Sequence, residues 1–107
     1  MLVAGRGQAE TVSKVLGASE AEVVRQLDRL AEHYAMLPAP QGGFAFSALG
    51  APASPVATVH LRAGAVRRIA LLEIPTTHVE LVSNASDSVR FARFVRDFER
   101  VTQRGGG

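Results

Sequence analysis

Five side chains in this sequence have the chemistry to hold a metal ion or move a proton: His33, His60, Glu73, His78 and Glu80. Two histidines and a carboxylate are a recognised ligand set for a divalent ion, and a His–Glu pair can pass a proton between its members. Spacing restricts both uses. His78 and Glu80 are two residues apart, so on a strand they share a face. An up-and-down pairing with Leu61 opposite Arg67 sets His60 against Arg68 and leaves His78 near Ile74. Those two rows are about six residues apart, or ~20 Å at strand rise, too far to share an ion within one chain. A nucleophile elbow, a phosphate loop and a metalloprotease helix are all absent from the sequence, and Gly5-Arg6-Gly7 and Gly42-Gly43 are too short to cradle phosphate. The chain has no cysteine, which excludes thiolate nucleophiles, disulfides and cysteine-built zinc sites. The reading leans away from an enzyme, leaves any cofactor unidentified and assigns no metal ligands.

The second chemical feature is arginine. Arg93, Arg96 and Arg100 fall at i, i+3 and i+7 of one helical segment and can form a stripe for an anionic partner, protein or nucleic acid. Asp97 and Glu99 are near enough to neutralise part of it. The simpler reading is a solvated face with local ion pairs of little energy.

The elements that carry these residues are bounded by composition. At 107 residues, 47% hydrophobic and 21% charged, the chain is expected to form one globular domain over residues 1–107, with 1–7 and 104–107 as frayed ends. Net charge is +2 and the sequence pI is near 9.9, with the basic excess after residue 55. That is weaker than the clustered basic face of a dedicated nucleic-acid binder. Met1–Ala4 is too short for a signal core, and no stretch approaches the ~20 apolar residues of a membrane span, so a cytoplasmic protein with no membrane partner is expected.

Gln8–Leu16 reads as a short helix with Val12, Val15 and Leu16 inward and Gly17 as its C-terminal cap. Ser19-x-x-Glu22 is a capping box for a second helix, whose apolar stripe runs Val23, Leu27, Leu30, Tyr34 and Leu37 until Pro38 ends it. Loops rich in Pro, Gly and Ala cover 38–43 and 50–55, with a strand at Gly43–Leu49 between them. Three more strands follow at about Val56–Arg62, Val66–Ile74 and Thr77–Ser83. The first pair turns at Ala63-Gly64-Ala65, and Pro75-Thr76 breaks the second. Ser88–Gln103 is an amphipathic helix with Phe91, Phe94, Val95, Phe98 and Val101 on one side. It holds three of the five Phe residues and is expected to close the core.

In that register Val59, Ile69, Leu71, Val79 and Leu81 form the core face of the sheet. The reverse face carries Thr58, His60, Arg62, Arg68, Ala70, Leu72, Ile74, His78, Glu80 and Val82. A row of Ala70, Leu72, Ile74 and Val82 is too apolar for open water and is expected to meet a second copy or a ligand.

Two short stretches resemble nucleic-acid motifs. Val12–Leu27 resembles a helix-turn-helix segment, which would lay the helix after Ser19 in a major groove, but Glu20 and Glu22 sit at the end that should meet phosphates. Gly43-Phe44-Ala45-Phe46 resembles the core of the RNP1 motif of RNA-recognition modules, whose aromatic residues stack bases. Gly42 stands where that motif has a basic residue, and Phe44 and Phe46 share a strand side as two buried residues would.

The expected architecture is a two-layer α+β domain of two N-terminal helices, an antiparallel sheet of about four strands and a closing C-terminal amphipathic helix. The expected function is a non-catalytic binding or assembly module, a homodimer through one sheet face, with His60, Arg62, Arg68, Leu72, Ile74, His78, Glu80 and Val82 as ligand or interface residues. A nucleic-acid-associated regulator using the helical corner 12–34 or Arg93, Arg96 and Arg100 is one alternative. A small-molecule or cofactor-binding protein with a site in the subunit cleft is the other.

Overall fold

The computed structural model of the protein describes residues 10–39, 42–50, 55–84 and 88–106, with side chains as far as Thr102 in the last segment. The expected first helix is a strand instead: β1 is Thr11–Leu16, and Gln8 lies outside the described residues. Its burial has period two. Val12, Lys14 and Leu16 are half-buried, while Thr11, Ser13 and Val15 are exposed. Val15 therefore points away from the side where the helical reading put it, and Gly17 caps nothing.

Helix α1 is Glu20–Leu27, and the capping box expected at its start is present. Ser19 Oγ accepts from the Glu22 amide at 3.2 Å, and Glu22 Oε1 accepts from the Ser19 amide at 3.0 Å. The helix then tightens into a 3-10 turn, Asp28–Glu32, and the chain leaves it as strand β2, Tyr34–Pro38. The stripe Val23, Leu27, Leu30 and Tyr34 is buried as expected, but Tyr34 reaches the core from a strand and Leu37 is exposed. The reason is pairing. Tyr34–Pro38 hydrogen-bonds with β3, Phe44–Ala48, satisfying backbone groups that a prolonged helix would leave without this partner. A strand before Gly17 and a strand after His33 also mean that no helical corner forms over 12–34, so the helix-turn-helix reading is overturned.

Strand β4 is Pro55–Ala63. The single strand expected at Val66–Ile74 is a small hairpin, β5 (Arg67–Ile69) and β6 (Leu72–Ile74), turning at Ala70-Leu71. Strand β7 is Thr77–Ser83, as read from the sequence. Five strands, rather than four, form one antiparallel sheet in the order β1-β7-β4-β3-β2, and β5-β6 stands apart as a second, two-stranded sheet.

The expected turn at Ala63-Gly64-Ala65 does not reverse the chain, and Leu61 faces Val79, not Arg67. The two strands run on past the sheet as a ribbon. The Gly64 amide donates to the Thr76 carbonyl at 2.8 Å, and Thr76 Oγ1 donates to the Ala65 carbonyl. A Cβ on Gly64 would lie 2.5 Å from Thr76 Oγ1 and 2.7 Å from the His78 ring, so only glycine fits where the ribbon leaves the sheet.

One face of the sheet supplies Phe46, Ala57, Val59, Val79 and Leu81 to the core. Val23, Leu27 and Leu30 join them, with Phe91, Phe94 and Phe98 of α2, Ser88–Gly106. Phe94 is central: its ring meets Tyr34 edge-on at 5.2 Å and Phe46 at 5.1 Å. An ion pair of 2.6 Å between Lys14 and Glu99 ties α2 to the edge strand β1. Thr77 Oγ1 donates to the Ala18 carbonyl at 2.7 Å, fixing the entry to α1. No helix among the described residues is long and apolar enough to cross a membrane.

Candidate functional site

Side chains alternate along strands, so the face opposite the core carries a set fixed by register. Cross-strand pairing sets Ser13, Glu80 and His60 in one row and Val15, His78 and Arg62 in the next. The ~20 Å separation expected of His60 and His78 is therefore wrong. They lie on neighbouring strands and are diagonal neighbours, roughly 7–8 Å apart for that relationship. The cause is the ribbon. It takes residues 64–76 out of the sheet and lets β4 pair with β7 directly. Ser13, Val15, His60, Arg62, His78 and Glu80 border a depression of about 370 Å3. No grouping of three His, Asp or Glu among the described residues could hold a metal ion, and among the described residues no ion pair joins Glu80 to Arg62. The face thus carries both signs of charge and two imidazoles beside Val82.

Arg68, Leu72 and Ile74 are not on this face. They belong to the hairpin, so the apolar row expected with Val82 does not exist. In the hairpin Arg67 faces Ile74, Arg68 faces Glu73 and Ile69 faces Leu72. Ile69, Leu72 and Ile74 therefore share one side, and Arg68 and Glu73 form a 3.4 Å ion pair on the other. The large apolar side chains of this arm are open. Val66 is 53% exposed, Ile69 52%, Leu72 64% and Leu71, in the turn, 99%. Ala70 holds φ +56° there, a left-handed conformation that a two-residue hairpin turn requires and that glycine or asparagine would adopt with less strain.

The arginine stripe divides. Arg93 and Arg100 line a cleft of about 520 Å3, joined by Arg90, Asp97, His33, Tyr34, Ala48 and Val56. Arg96 is exposed and is not part of that lining. At 3.6 residues per turn, Arg96 lies roughly 60° further round the helix than Arg93, toward solvent. Nor does Glu99 neutralise the stripe, since it pairs with Lys14. Asp97 does: its Oδ1 is 3.2 Å from Arg100 Nη2, and its Oδ2 accepts from the Tyr34 hydroxyl at 2.7 Å. Burial first, then that hydrogen bond and the carboxylate's charge, hold the Tyr34 phenol well above its ordinary value of 10.0.

The cleft was missed from sequence. Its signal was Arg90, Arg93, Asp97 and Arg100 at i, i+3, i+7 and i+10, flanking the Phe94–Phe98 face. The base-stacking reading of Phe44 and Phe46 falls here as well, because Phe46 is wholly buried against Phe94 and shows no ring face to a ligand. No family model, curated protein or solved structure matches the chain, so its functional reading rests on its own geometry.

Proposed function

We propose that this protein is a small non-catalytic binding and assembly module of the cytoplasm, working as a homodimer. In this reading it has two layers, with helices on one side of the sheet and the partner subunit over the other. The observation that carries it is the hairpin: four large apolar side chains within Val66–Leu72 are more than half exposed. Such a concentration on a small domain marks a surface covered in the working state.

Charge favours a second copy as the cover. Arg62 and Glu80 lie on adjacent strands of the open face, two residue pairs apart along the ladder. An isologous two-fold contact would set each against its opposite in the partner. The hairpin supplies part of the energy. Covering Ile69, Leu71 and Leu72 in both subunits is worth roughly 9–18 kcal/mol gross at about 1.5–3 kcal/mol per fully covered side chain. The lower end applies because Ile69 and Leu72 are already partly covered. Against association costs of about 4–15 kcal/mol the hairpin leaves at most about 5 kcal/mol, so the ~8 kcal/mol of a micromolar dimer draws on contacts across the open sheet face as well.

The test is solution mass by light scattering for the natural chain and for Leu71→Glu and Leu72→Glu. Both positions are exposed in the single chain, so neither change should unfold it. Two chains per particle are expected at tens of micromolar, falling to one in each variant. A natural chain that stays monomeric at hundreds of micromolar would refute the dimer, and so would variants that keep the dimer mass.

A further inference from the structure

We infer that the cleft beside α2 is a binding site for a small phosphate monoester bearing an apolar or aromatic group. It stands on the core side of the sheet, at the ends of β3 and β4, away from the proposed subunit contact and independent of it. Arg93 and Arg100 line it together with one carboxylate, Asp97. That carboxylate is already committed twice, to Arg100 and to the Tyr34 hydroxyl. Arg93 forms no ion pair among the described residues and stands on the same flank of α2 as Arg100. Two planar forks two helical turns apart on one flank, about 10 Å at the backbone, can converge through their long side chains on the tetrahedral oxygens of a phosphate, which accepts from each.

The rest of the lining selects what the phosphate is attached to. Val56, Ala48 and the ring of Tyr34 make an apolar wall, and Tyr34 is held rigid by Phe94 behind it and Asp97 beside it. The volume of about 520 Å3 lies within the range of small-ligand clefts. It would hold a compact organic body beyond the anion. A monoester turns three terminal oxygens to the two forks where a diester has two. A bounded cleft likewise favours a small molecule over a polymer that must run through it.

The test uses the full chain and three probes at fixed ionic strength: inorganic phosphate, phenyl phosphate, and a short single-stranded oligonucleotide without terminal phosphates. Binding is followed by calorimetry and by amide shifts. Phenyl phosphate should bind saturably and more tightly than inorganic phosphate, because only it reaches the apolar wall. Arg93→Gln should weaken it about tenfold or more, the worth of a charged hydrogen-bonded pair. Arg96→Gln, on the same helix but outside the cleft, should leave affinity unchanged. Both residues are exposed, and an unaltered thermal midpoint will show that each variant is folded. Absence of saturable binding at millimolar phenyl phosphate would overturn the assignment. So would equal losses in the two variants, or an oligonucleotide that binds more tightly than phenyl phosphate.

Discussion

Tyr34 is the chain's only tyrosine and there is no tryptophan, so alkaline difference absorbance reports this single phenol. Its hydroxyl gives a 2.7 Å hydrogen bond to Asp97, and the residue is 8% exposed. A raised folded-state pKa means that the unfolded chain releases its proton first. The associated stability is therefore complete below about pH 10 and is lost as pH rises beyond it. Replacing Tyr34 by Phe keeps the ring against Phe94 and removes only the hydroxyl. A hydrogen bond to a charged acceptor is worth about 1.5–3 kcal/mol. The lower value applies, because Asp97 retains Arg100 and is part-exposed. For a domain of this size, about 1.5 kcal/mol lowers the thermal midpoint by roughly 6–12 °C at neutral pH. In Asp97→Asn the phenol should titrate nearer its ordinary value, because the acceptor loses its charge. A folded-state titration midpoint equal to that in denaturant would refute the lock between Tyr34 and Asp97. So would a Tyr34→Phe midpoint within a degree of the natural chain.

Gly43→Ala should cost about 3 kcal/mol or more in urea unfolding. Its φ of +79° penalises any side chain, and the new Cβ would sit 2.2 Å from the Val59 carbonyl oxygen. Gly42→Ala, at φ +97° with nothing within 4 Å, should lose only about 1–2 kcal/mol. Phe98→Ala, at a position with no exposure, should cost about 3–5 kcal/mol by the same measurement. Ser19→Ala should cost about 1 kcal/mol by orphaning the Glu22 amide, with Ser19→Asp near neutral. The bonds from Ser19 hold the Glu22 carboxyl below its usual range. The contribution of the box is therefore full above the ordinary carboxylate pKa and fades as pH falls through the lowered one.

Where local pattern and tertiary pairing agree, the sequence was legible. β3, β4 and β7 carry their own alternation, α2 carries a full 3.6-residue period with three phenylalanines, and Ser19 announces α1. The two errors of element type share a cause. Val12, Val15 and Leu16 satisfy helical spacing, yet Val12 and Leu16 alone also satisfy a strand face, and six residues are too few to decide by period. Leu30, Tyr34 and Leu37 continue the α1 stripe arithmetically. What decides is a partner elsewhere: β7 for the first segment and β3 for the second. Strand identity in both places is set by hydrogen bonds to distant residues, and no local window contains them.

The same dependence on distant pairing governs the two surfaces. Residues 64–76 hold enough alternation to pass for sheet strands, and assigning them there pushed His60 and His78 apart and put Leu72 and Ile74 beside Val82. Removing the ribbon from the sheet reverses both errors together, gathering the polar residues on the open face and isolating the apolar ones on an arm. The arginines follow similarly. The helix period allows Arg93 and Arg100 to group with either Arg96 or Arg90. Which group forms a site depends on the side of α2 where Tyr34 stands, and Tyr34 stands there because β2 pairs with β3. The make-up of each surface in this fold is therefore a consequence of register. A change that shifts pairing at β2, such as Gly43→Ala at its hairpin, should disturb the basic cleft while leaving every residue that lines it in place in the sequence.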